Sequence, residues 1–273
     1  MEPVHQNLHE QVSRYPIYQV DAFSDKVFSG NPAAVVLLER WLPDEVMQRI
    51  ALENNVAETA FFIPLEQGYH IRWFTPEIEQ DLCGHATLAA AHVISMHLDP
   101  TITQIRFQSN SGELTVTVTD ELLTLDFPAR IPVLSQAPAV ILDAFGIEPS
   151  EVLKARDYLL VFEHEAVIQE MQPKREILDQ IKLDPGGVCV TAPGERVDFV
   201  SRFFTPQASI FEDPVTGSAH CSLIPYWSKR LGREKLVALQ LSARGGKLYC
   251  QNAGERVLIS GRAVTYLEGE IRV

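Results

Sequence analysis

The 273-residue sequence is poor in basic residues and in cysteine, and it lacks long apolar runs. Its 23 Lys and Arg against 36 Asp and Glu give a formal net charge of -13. That charge argues against nucleic acid as a partner, because phosphate binding needs a concentrated basic surface. No stretch approaches the roughly 18 uninterrupted apolar residues of a membrane span, and the N-terminus lacks the order of a signal peptide. We expect neither a nucleic-acid partner nor a membrane segment.

The four cysteines are too far apart to form a recognisable framework. Cys83, Cys189, Cys221 and Cys250 include no CxxC pair, so we predict no disulfide pattern and no metal site. A reducing cytoplasm is the simplest location. The motifs GxSxG, HExxH, GxxxxGK[ST] and GxGxxG are also absent, which leaves hydrolase, metalloprotease, NTPase and dinucleotide functions without their usual sequence signatures.

An internal repeat is the most informative feature that is present. RWFTP at 72–76 recurs as RFFTP at 202–206, and each copy leads through an acidic connection to a glycine that opens an apolar helix. SNSGEL at 109–114 is echoed by ARGGKL at 243–248. Three matches in the same order indicate a duplication. We therefore predict two pseudo-symmetric halves, residues 17–130 and 131–273, after an N-terminal extension of residues 1–16.

The two glycine-containing helix starts predict a site between the halves. The first N–H groups of a helix lack internal partners and carry the positive end of its dipole. Gly84 and Gly217 would let a carboxylate or an enolate approach those donors closely. The alternative is two ordinary helix starts with glycine for packing. Polar neighbours favour a site: we assign Gly84, Gly217 and Ser218 to substrate binding, and His85 and Asp213 to catalysis.

Glu58 is the remaining candidate for catalysis. It lies between a predicted helix end and the apolar strand at 59–63. Burial of a carboxyl raises its pKa, which suits a general base that must later act as an acid. A solvated loop glutamate is the alternative that its position alone allows.

The segments GNPAAV, ETAF, DLCGHAT and EDPVTGSAH occur in this order along the chain. Over roughly residues 17 to 270 the sequence resembles the PhzF-like proteins of phenazine biosynthesis, within the diaminopimelate-epimerase-like fold. The resemblance implies an α+β fold of two mirrored halves, each a mostly antiparallel sheet or barrel around a central helix, with the active site in the cleft between them. It also implies a homodimer that uses no metal and no organic cofactor.

The resemblance further implies a cofactor-independent isomerase acting on a small carboxylate-bearing molecule. Glu58, in the ETAF motif, would carry the proton between carbons as general acid and base. Gly84 and His85 would bind substrate or relay the proton, while Asp213, Gly217 and Ser218 would orient the substrate and stabilise charge. PhzF-like proteins occur where no phenazine is made, so the substrate stays open.

Two other functions remain open at this point. Related racemases and epimerases use one cysteine on each face of the substrate carbon, and Cys83 stands where the first thiol would be. The second motif has Thr216 before Gly217, so a racemase would need Asp213 or another group in place of the second thiol. The third possibility is a small-molecule binding protein of the same fold that kept the cleft and lost turnover.

Overall fold

The structure, a computed structural model, describes residues 13–119, 122–183 and 186–273. The described strands are β1 (Arg14–Ala22), β2 (Asn31–Leu37), β3 (Glu58–Pro64), β4 (Tyr69–Phe74), β5 (Glu79–Gln80), β6 (Gln104–Ser109), β7 (Gly112–Val118), β8 (Leu123–Pro128), β9 (Val133–Leu134), β10 (Glu151–Lys154), β11 (Tyr158–Val161), β12 (Val188–Pro193), β13 (Phe199–Phe204), β14 (Glu212–Asp213), β15 (Lys235–Gln240), β16 (Gly246–Ala253), β17 (Arg256–Gly261) and β18 (Ala263–Arg272). The described helices are α1 (Asp44–Asn54), α2 (Gly84–Val93), α3 (Ala139–Phe145), α4 (Glu165–Glu170), α5 (Arg175–Leu178) and α6 (Gly217–Leu231), and a π-helical turn (Ile94–Leu98) continues α2.

Val46, Ile50 and Ala51 follow Pro43 at the spacing typical of a helix, and the structure has α1 there, spanning Asp44–Asn54. Two acidic residues in its first turn favour the positive end of the helix dipole. Asn55 ends the helix in the left-handed conformation, with φ of 49°. The buried side chains of Met47 and Ile50 attach α1 to the sheet.

The strands form one continuous sheet in which both halves share the same order of pairing. In the first half the pairs run β1–β2, β2–β3, β3–β4, β4–β6, β6–β7 and β7–β8. In the second they run β10–β11, β11–β12, β12–β13, β13–β15, β15–β16 and β16–β17. The second and fourth pair of each series are parallel and the others antiparallel. The predicted α+β fold of two pseudo-symmetric, mostly antiparallel halves is confirmed.

One strand, β18, crosses from the half 131–273 to the half 17–130. β9 follows the first half and pairs with β10, whereas β18 follows the second half and pairs with β1 along nearly its whole length. β8 and β17 join the halves directly as an antiparallel pair. The boundary between residues 17–130 and 131–273 stays a prediction. The strand pairings show in addition that β18 lies against the first half. Of the predicted extension, residues 1–12 lie outside the described ranges and residues 14–16 belong to β1.

The central helix of each half is packed inside the sheet. Every residue of α2 except His92 is buried, as expected for a helix that is apolar all round. The largest core cluster includes residues of both α2 and α6 and of strands from both halves. Helix α1 packs on a smaller cluster at the outer face of the first half, and α3, α4 and α5 cover the outer face of the second.

The repeated RxFTP motif forms the same ion pair in each half. Arg72 on β4 donates to both carboxylate oxygens of Glu79 on β5, at 2.7 and 2.7 Å. Arg202 on β13 donates to both oxygens of Glu212 on β14, at 2.7 and 2.9 Å. These two-point pairs hold the short strand that precedes each central helix. The sequence repeat is therefore a structural repeat that delivers the two helix starts.

Candidate active site

The starts of α2 and α6 meet at their glycines. A Cβ atom on Gly84 would lie 3.5 Å from Gly217 Cα, and one on Gly217 would lie 3.6 Å from Gly84 Cα. The residues before them, Cys83 and Thr216, make no side-chain capping hydrogen bond. The absence of side chains at the two glycines lets the helices approach to backbone contact, with their positive ends at one place.

A cleft of about 190 Å³ opens at this junction. All six residues predicted from the sequence line it: Glu58, Gly84, His85, Asp213, Gly217 and Ser218. The Ser218 hydroxyl makes no hydrogen bond with another described residue, so it is available to a ligand. The structure thus brings the predicted residues of both halves together, while their catalytic and binding roles stay a prediction.

Glu58 and His85 are in direct contact. Glu58 Oε2 lies 3.0 Å from His85 Nε2, and the Glu58 side chain is 18% exposed against 5% for His85. The angle at Nε2 is not that of a well-directed hydrogen bond, so the pair is held by proximity and charge. Glu58 opens β3 and His85 is the second residue of α2, so a strand start and a helix start supply the pair.

The other ring nitrogen of His85 faces Asn31. Asn31 Nδ2 lies 3.1 Å from His85 Nδ1, and Cys83 Sγ lies 3.6 Å from the same nitrogen. An amide nitrogen can only donate, so Nδ1 is the acceptor in the neutral ring and Nε2 carries the proton. If Nδ1 also gains a proton, the Asn31 amide can no longer donate to it, and the Cys83 sulfur is the neighbour left to accept from it. In both forms Nε2 is protonated and lies 3.0 Å from Glu58 Oε2.

The electrostatics of His85 follow from its neighbours. Burial lowers the pKa of His85, but the neighbouring Cys83 sulfur and Glu58 carboxylate raise it, and the net pKa is well above that of a free histidine. A proton on His85 leaves Glu58 as the acceptor of the pair. The role of Glu58 as a base stays a prediction.

Asp213 is tied into the site by both carboxylate oxygens. Oδ1 accepts from Asn31 Nδ2 at 2.7 Å, and Oδ2 accepts from Thr216 Oγ1 at 2.6 Å. Burial raises the pKa of Asp213 to about 6, although His85 and the two hydrogen bonds oppose the shift. Gln240, buried on β15, donates to the Asp213 carbonyl at 2.8 Å and accepts from Thr216 N at 2.9 Å. The loop before α6 is held by these bonds.

Sequence reasoning missed Asn31, Gln240 and the cleft residue Arg156 as members of the site. Asn31 is part of the GNPAAV segment that carried the resemblance, so a signal existed, but the segment reads locally as a turn into a strand. Gln240 lies at the end of β15 and Arg156 lies in the turn between β10 and β11. No sequence motif surrounds either residue.

Cys83 lies among possible metal donors. Glu58, Cys83 and His85 each offer one donor atom, and the three lie within 4.8 Å of one another. Burial raises the pKa of the Cys83 thiol and the Glu58 charge raises it further, whereas the charge of His85 and the contact with its ring oppose the rise. A metal ion needs the thiolate. Binding of a metal ion at these three donors would therefore release the thiol proton, which the charge of the ion itself promotes.

Two other candidate side chains near the start of α6, Cys221 and His220, lie outside the cleft. Cys221 is buried one turn into α6, with its sulfur 4.0 Å from the Gly217 carbonyl, and burial raises its pKa to about 11. His220 contacts the Thr216 carbonyl at 2.8 Å through Nδ1, and burial lowers its pKa to about 4.

Solved structures define the class of protein to which this fold and cleft belong. A PhzF-family protein from Enterococcus faecalis superposes with a TM-score of 0.91 at 47% identity, covering 96% of this chain and 100% of that one. A hydroxyproline epimerase from Agrobacterium vitis has a TM-score of 0.63 at 10% identity over 95% and 93% of the chains, which shows the fold alone. The fold is that of PhzF proteins and of epimerases of the same architecture.

Sequence relatives identify the family. Residues 20–269 match the phenazine biosynthesis-like protein family. Two uncharacterised isomerases of Pseudomonas aeruginosa are 49% and 51% identical over 257 residues, each covering 94% of this chain and 98% of its own length. The human phenazine biosynthesis-like domain-containing protein is 35% identical over 286 residues, or 94% of this chain and 99% of its own. The chain belongs to the phenazine biosynthesis-like (PhzF) family.

None of the helices in the described ranges has the length and apolar character that crossing a bilayer requires.

Proposed function

We propose that this protein is a cofactor-independent isomerase that moves a proton between two carbon atoms of a small carboxylate-bearing substrate, with Glu58 as general acid and base. The observation that carries the proposal is the 3.0 Å approach of Glu58 Oε2 to His85 Nε2 inside the cleft formed by the two helix starts. A base next to a proton donor, beside convergent backbone donors, suits abstraction of a proton from carbon.

The reaction needs only groups of this chain. The substrate carboxylate lies at the N–H groups of Gly84 and Gly217 and accepts a hydrogen bond from the Ser218 hydroxyl. Glu58 removes a proton from one carbon, and the electron pair is delocalised toward the carboxylate or a conjugated carbonyl, whose negative charge the helix starts stabilise. The protonated Glu58 then returns the proton to another carbon of the conjugated system. One C–H bond breaks, one forms and a double bond moves.

His85 and Asp213 support Glu58 from the two halves. His85 presents Nε2–H to Glu58 and stabilises its anionic form before proton abstraction. Asp213 is joined to His85 through Asn31 Nδ2, which contacts His85 Nδ1 at 3.1 Å and Asp213 Oδ1 at 2.7 Å. A negative Asp213 favours a positive His85, so a residue of the second half influences the charge of the partner of Glu58.

The first prediction concerns Glu58. Glu58→Gln keeps the shape of the side chain and removes the base, so it should abolish proton transfer, a loss of at least about 1,000-fold, with a change in unfolding free energy within about 0.5 kcal/mol. The measurement is deuterium incorporation from D2O into a panel of small unsaturated and aromatic carboxylates, followed by mass spectrometry.

Glu53→Gln, an exposed substitution on α1, is the matched control and should exchange deuterium like the wild type. Exchange that survives Glu58→Gln would show that another group is the base.

A second candidate function is supported by Cys83, whose sulfur lies 3.6 Å from His85 Nδ1. A racemase or epimerase would use this thiol on one face of the substrate carbon. Its raised pKa and Thr216 at the matching place in the other half count against it. Deuterium incorporation at a substrate α-carbon that Cys83→Ala abolishes and Glu58→Gln leaves intact would support this function and exclude the first.

A binding protein without turnover is the third candidate, and it predicts tight ligand binding with no exchange in any carboxylate. Along with the isomerase we propose a homodimer acting in the cytoplasm, as the family resemblance implies. Light scattering coupled to size-exclusion chromatography tests the dimer, since a monomer mass of 30.6 kDa would contradict it.

A further inference from the structure

Positive charge is scarce in the cleft. Its lining includes the carboxylates of Glu58, Glu77 and Asp213, whereas Arg156 is the one Lys or Arg among the described lining residues. A substrate with negative groups therefore meets few cationic partners. The helix starts supply one region of positive potential and Arg156 supplies a second.

The backbone of Arg156 is firmly held in the turn between β10 and β11. Ala155 N donates across the turn to Asp157 O at 3.2 Å. The Asp157 carboxylate accepts from Gly187 N at 2.9 Å, and Tyr158 N donates to Gly187 O at 3.0 Å. Gly186 has φ of 141°, and a Cβ atom there would lie 2.9 Å from Arg156 O. These contacts pack the turn against residues 186–187 and fix the backbone position of Arg156.

The guanidinium of Arg156 makes no ion pair and no hydrogen bond with a described residue, although its charge opposes the rise in the pKa of the neighbouring Asp157. Arg72 and Arg202 each hold a carboxylate at two points, and Arg244 pairs with Asp21 at 2.7 Å. Arg130, which is part-buried and does not line the cleft, leaves its Nη1 without a hydrogen-bond partner. Arg156 lines the cleft and is half-buried. The adjacent Asp157 is turned toward Gly187 instead.

This pairing pattern leaves five N–H donors of a permanent cation at the wall of the cleft. Arg156 forms no ion pair with Glu58 or Asp213, so the carboxylates of the proton-transfer site do not neutralise it. The planar guanidinium matches a carboxylate at two points and keeps its charge at any working pH. A half-buried cation of this kind is best satisfied by an anionic group of a ligand.

We propose that Arg156 binds a second anionic group of the substrate, so that the substrate is a dicarboxylate. One carboxylate lies at the helix starts of Gly84 and Gly217, next to Glu58, and the other pairs with Arg156. The inference rests on the proposed isomerase function, because it assumes the carboxylate site at the helix starts. It adds that Arg156 selects substrates by their second charge.

Titration calorimetry with matched probes tests the proposal. The probes are succinate, glutarate and adipate against butyrate, pentanoate and hexanoate, pairs that differ only in the second carboxylate. The wild type should bind one of the dicarboxylates about 10-fold to 100-fold more tightly than its monocarboxylate partner, the range expected for a charge-assisted hydrogen-bonded pair. Arg156→Gln should reduce that ratio to near one, with monocarboxylate binding unchanged.

Two further variants make the result specific. Arg156→Lys keeps the charge without the planar fork and should retain part of the preference. Arg49→Gln removes an exposed positive charge on α1 and should leave the preference intact. Circular dichroism and thermal melting establish that each variant is folded before its affinities are compared.

The outcomes separate this proposal from the proposed function. A dicarboxylate preference that Arg156→Gln leaves unchanged, or wild-type binding with no preference, overturns the role of Arg156 alone. Binding of neither series by the folded wild type overturns both the Arg156 site and the carboxylate site at the helix starts. Deuterium exchange of a dicarboxylate that is lost in Glu58→Gln but keeps its wild-type rate in Arg156→Gln leaves the isomerase standing without the second subsite.

Discussion

Asn31 connects the two halves through a single amide nitrogen. From the start of β2 it reaches His85 Nδ1 on α2, Asp213 Oδ1 on β14 and the Val215 carbonyl, at 3.1, 2.7 and 2.9 Å. The amide has two hydrogens for these three acceptors, so the neighbours share them. Asn31 thereby sets which nitrogen of His85 carries a proton and keeps Asp213 close to the base.

Asn31→Ala should separate these effects from simple packing. Loss of the donor leaves the buried Val215 carbonyl and Asp213 Oδ1 without their partner, a cost of about 2 kcal/mol in unfolding free energy. Turnover should fall about 10-fold to 100-fold because His85 is no longer oriented. Urea denaturation and the deuterium-exchange rate measure the two quantities.

Asn54→Ala is a suitable control for that variant. Asn54 also donates from its side chain, to Thr59 Oγ1 at 3.1 Å, beside Glu58 but outside the cleft lining. It should lose stability by at most about 1 kcal/mol and keep its exchange rate. Equal exchange rates for Asn31→Ala and wild type would refute the orienting role.

The raised pKa of Asp213 makes stability depend on pH. Its pKa of about 6 in the folded protein is above the value of about 3.9 in an unfolded chain. The folded state therefore favours the protonated carboxyl, and this stabilisation is complete below about pH 4 and lost as the pH rises through about 6. Asp213→Asn stays neutral throughout, so it escapes the loss.

The free energy of unfolding of Asp213→Asn, relative to wild type, should therefore rise by on the order of 1 kcal/mol between pH 4 and pH 7, since Asp213 is only part-buried. Urea denaturation across this pH range measures the difference. A difference that is flat with pH, or that falls, would mean that Asp213 does not titrate near 6.

At the scale of elements, the two Arg–Glu bridges have the same geometry but different surroundings. Arg202 also donates through Nη1 to the carbonyls of Ile168 and Met171, at 3.0 and 2.7 Å, and its side chain is 8% exposed. Arg72 instead adds Asp44, which is 72% exposed, at 2.8 Å. The second-half bridge thus fixes a short strand and an outer helix at once, whereas the first-half bridge ends at the surface.

Arg202→Met should consequently destabilise more than Arg72→Met. The first leaves a carboxylate and two carbonyls without a donor, at a cost of about 3 kcal/mol or more, whereas solvent compensates much of the second, which should cost about 1 kcal/mol. Urea denaturation of the two variants at pH 7 provides the comparison. Equal losses would show that the backbone contacts of Arg202 contribute little.

The helix starts illustrate what the sequence could and could not predict. The repeated glycines and their polar neighbours were enough to predict a common site, and Gly84 and Gly217 do meet there. Asn31, Gln240 and Arg156 were not predictable in the same way, because each acts through long-range contacts that leave no local periodicity. A residue such as Arg156 becomes conspicuous only through the partners it lacks after folding.

For the whole molecule, the order of pairing was predictable as a duplication, but the crossing of β18 was not. The duplication is visible in repeated motifs, whereas no repeated motif in the sequence links β18 to β1. The ends of the described chain meet as a result: Ser13 N donates to Val273 O at 2.8 Å, and Val273 N donates to Ser13 O at 2.9 Å. The described chain is thus nearly a closed ring.

A circular permutant tests this closure. Joining residues 13 and 273 by a short Gly/Ser linker and opening the chain at the exposed Gly254 turn between β16 and β17 keeps every strand pair. The permutant should fold with an unfolding free energy within about 2 kcal/mol of wild type, because the new linker closes only a short loop. Failure to regain native circular dichroism and cooperative urea unfolding would show that the β1–β18 pairing needs the original connectivity.

The pairing of β1 with β18 also means that β1 waits for its partner strand until the end of protein synthesis. A ribosome adds about 5–20 residues per second, so β18 emerges on the order of ten seconds or more after β1. Throughout that interval the nascent first half exposes the long edge of β1 as an open template for another strand. A chaperone that shields this edge during translation would act on the segment whose partner is made last.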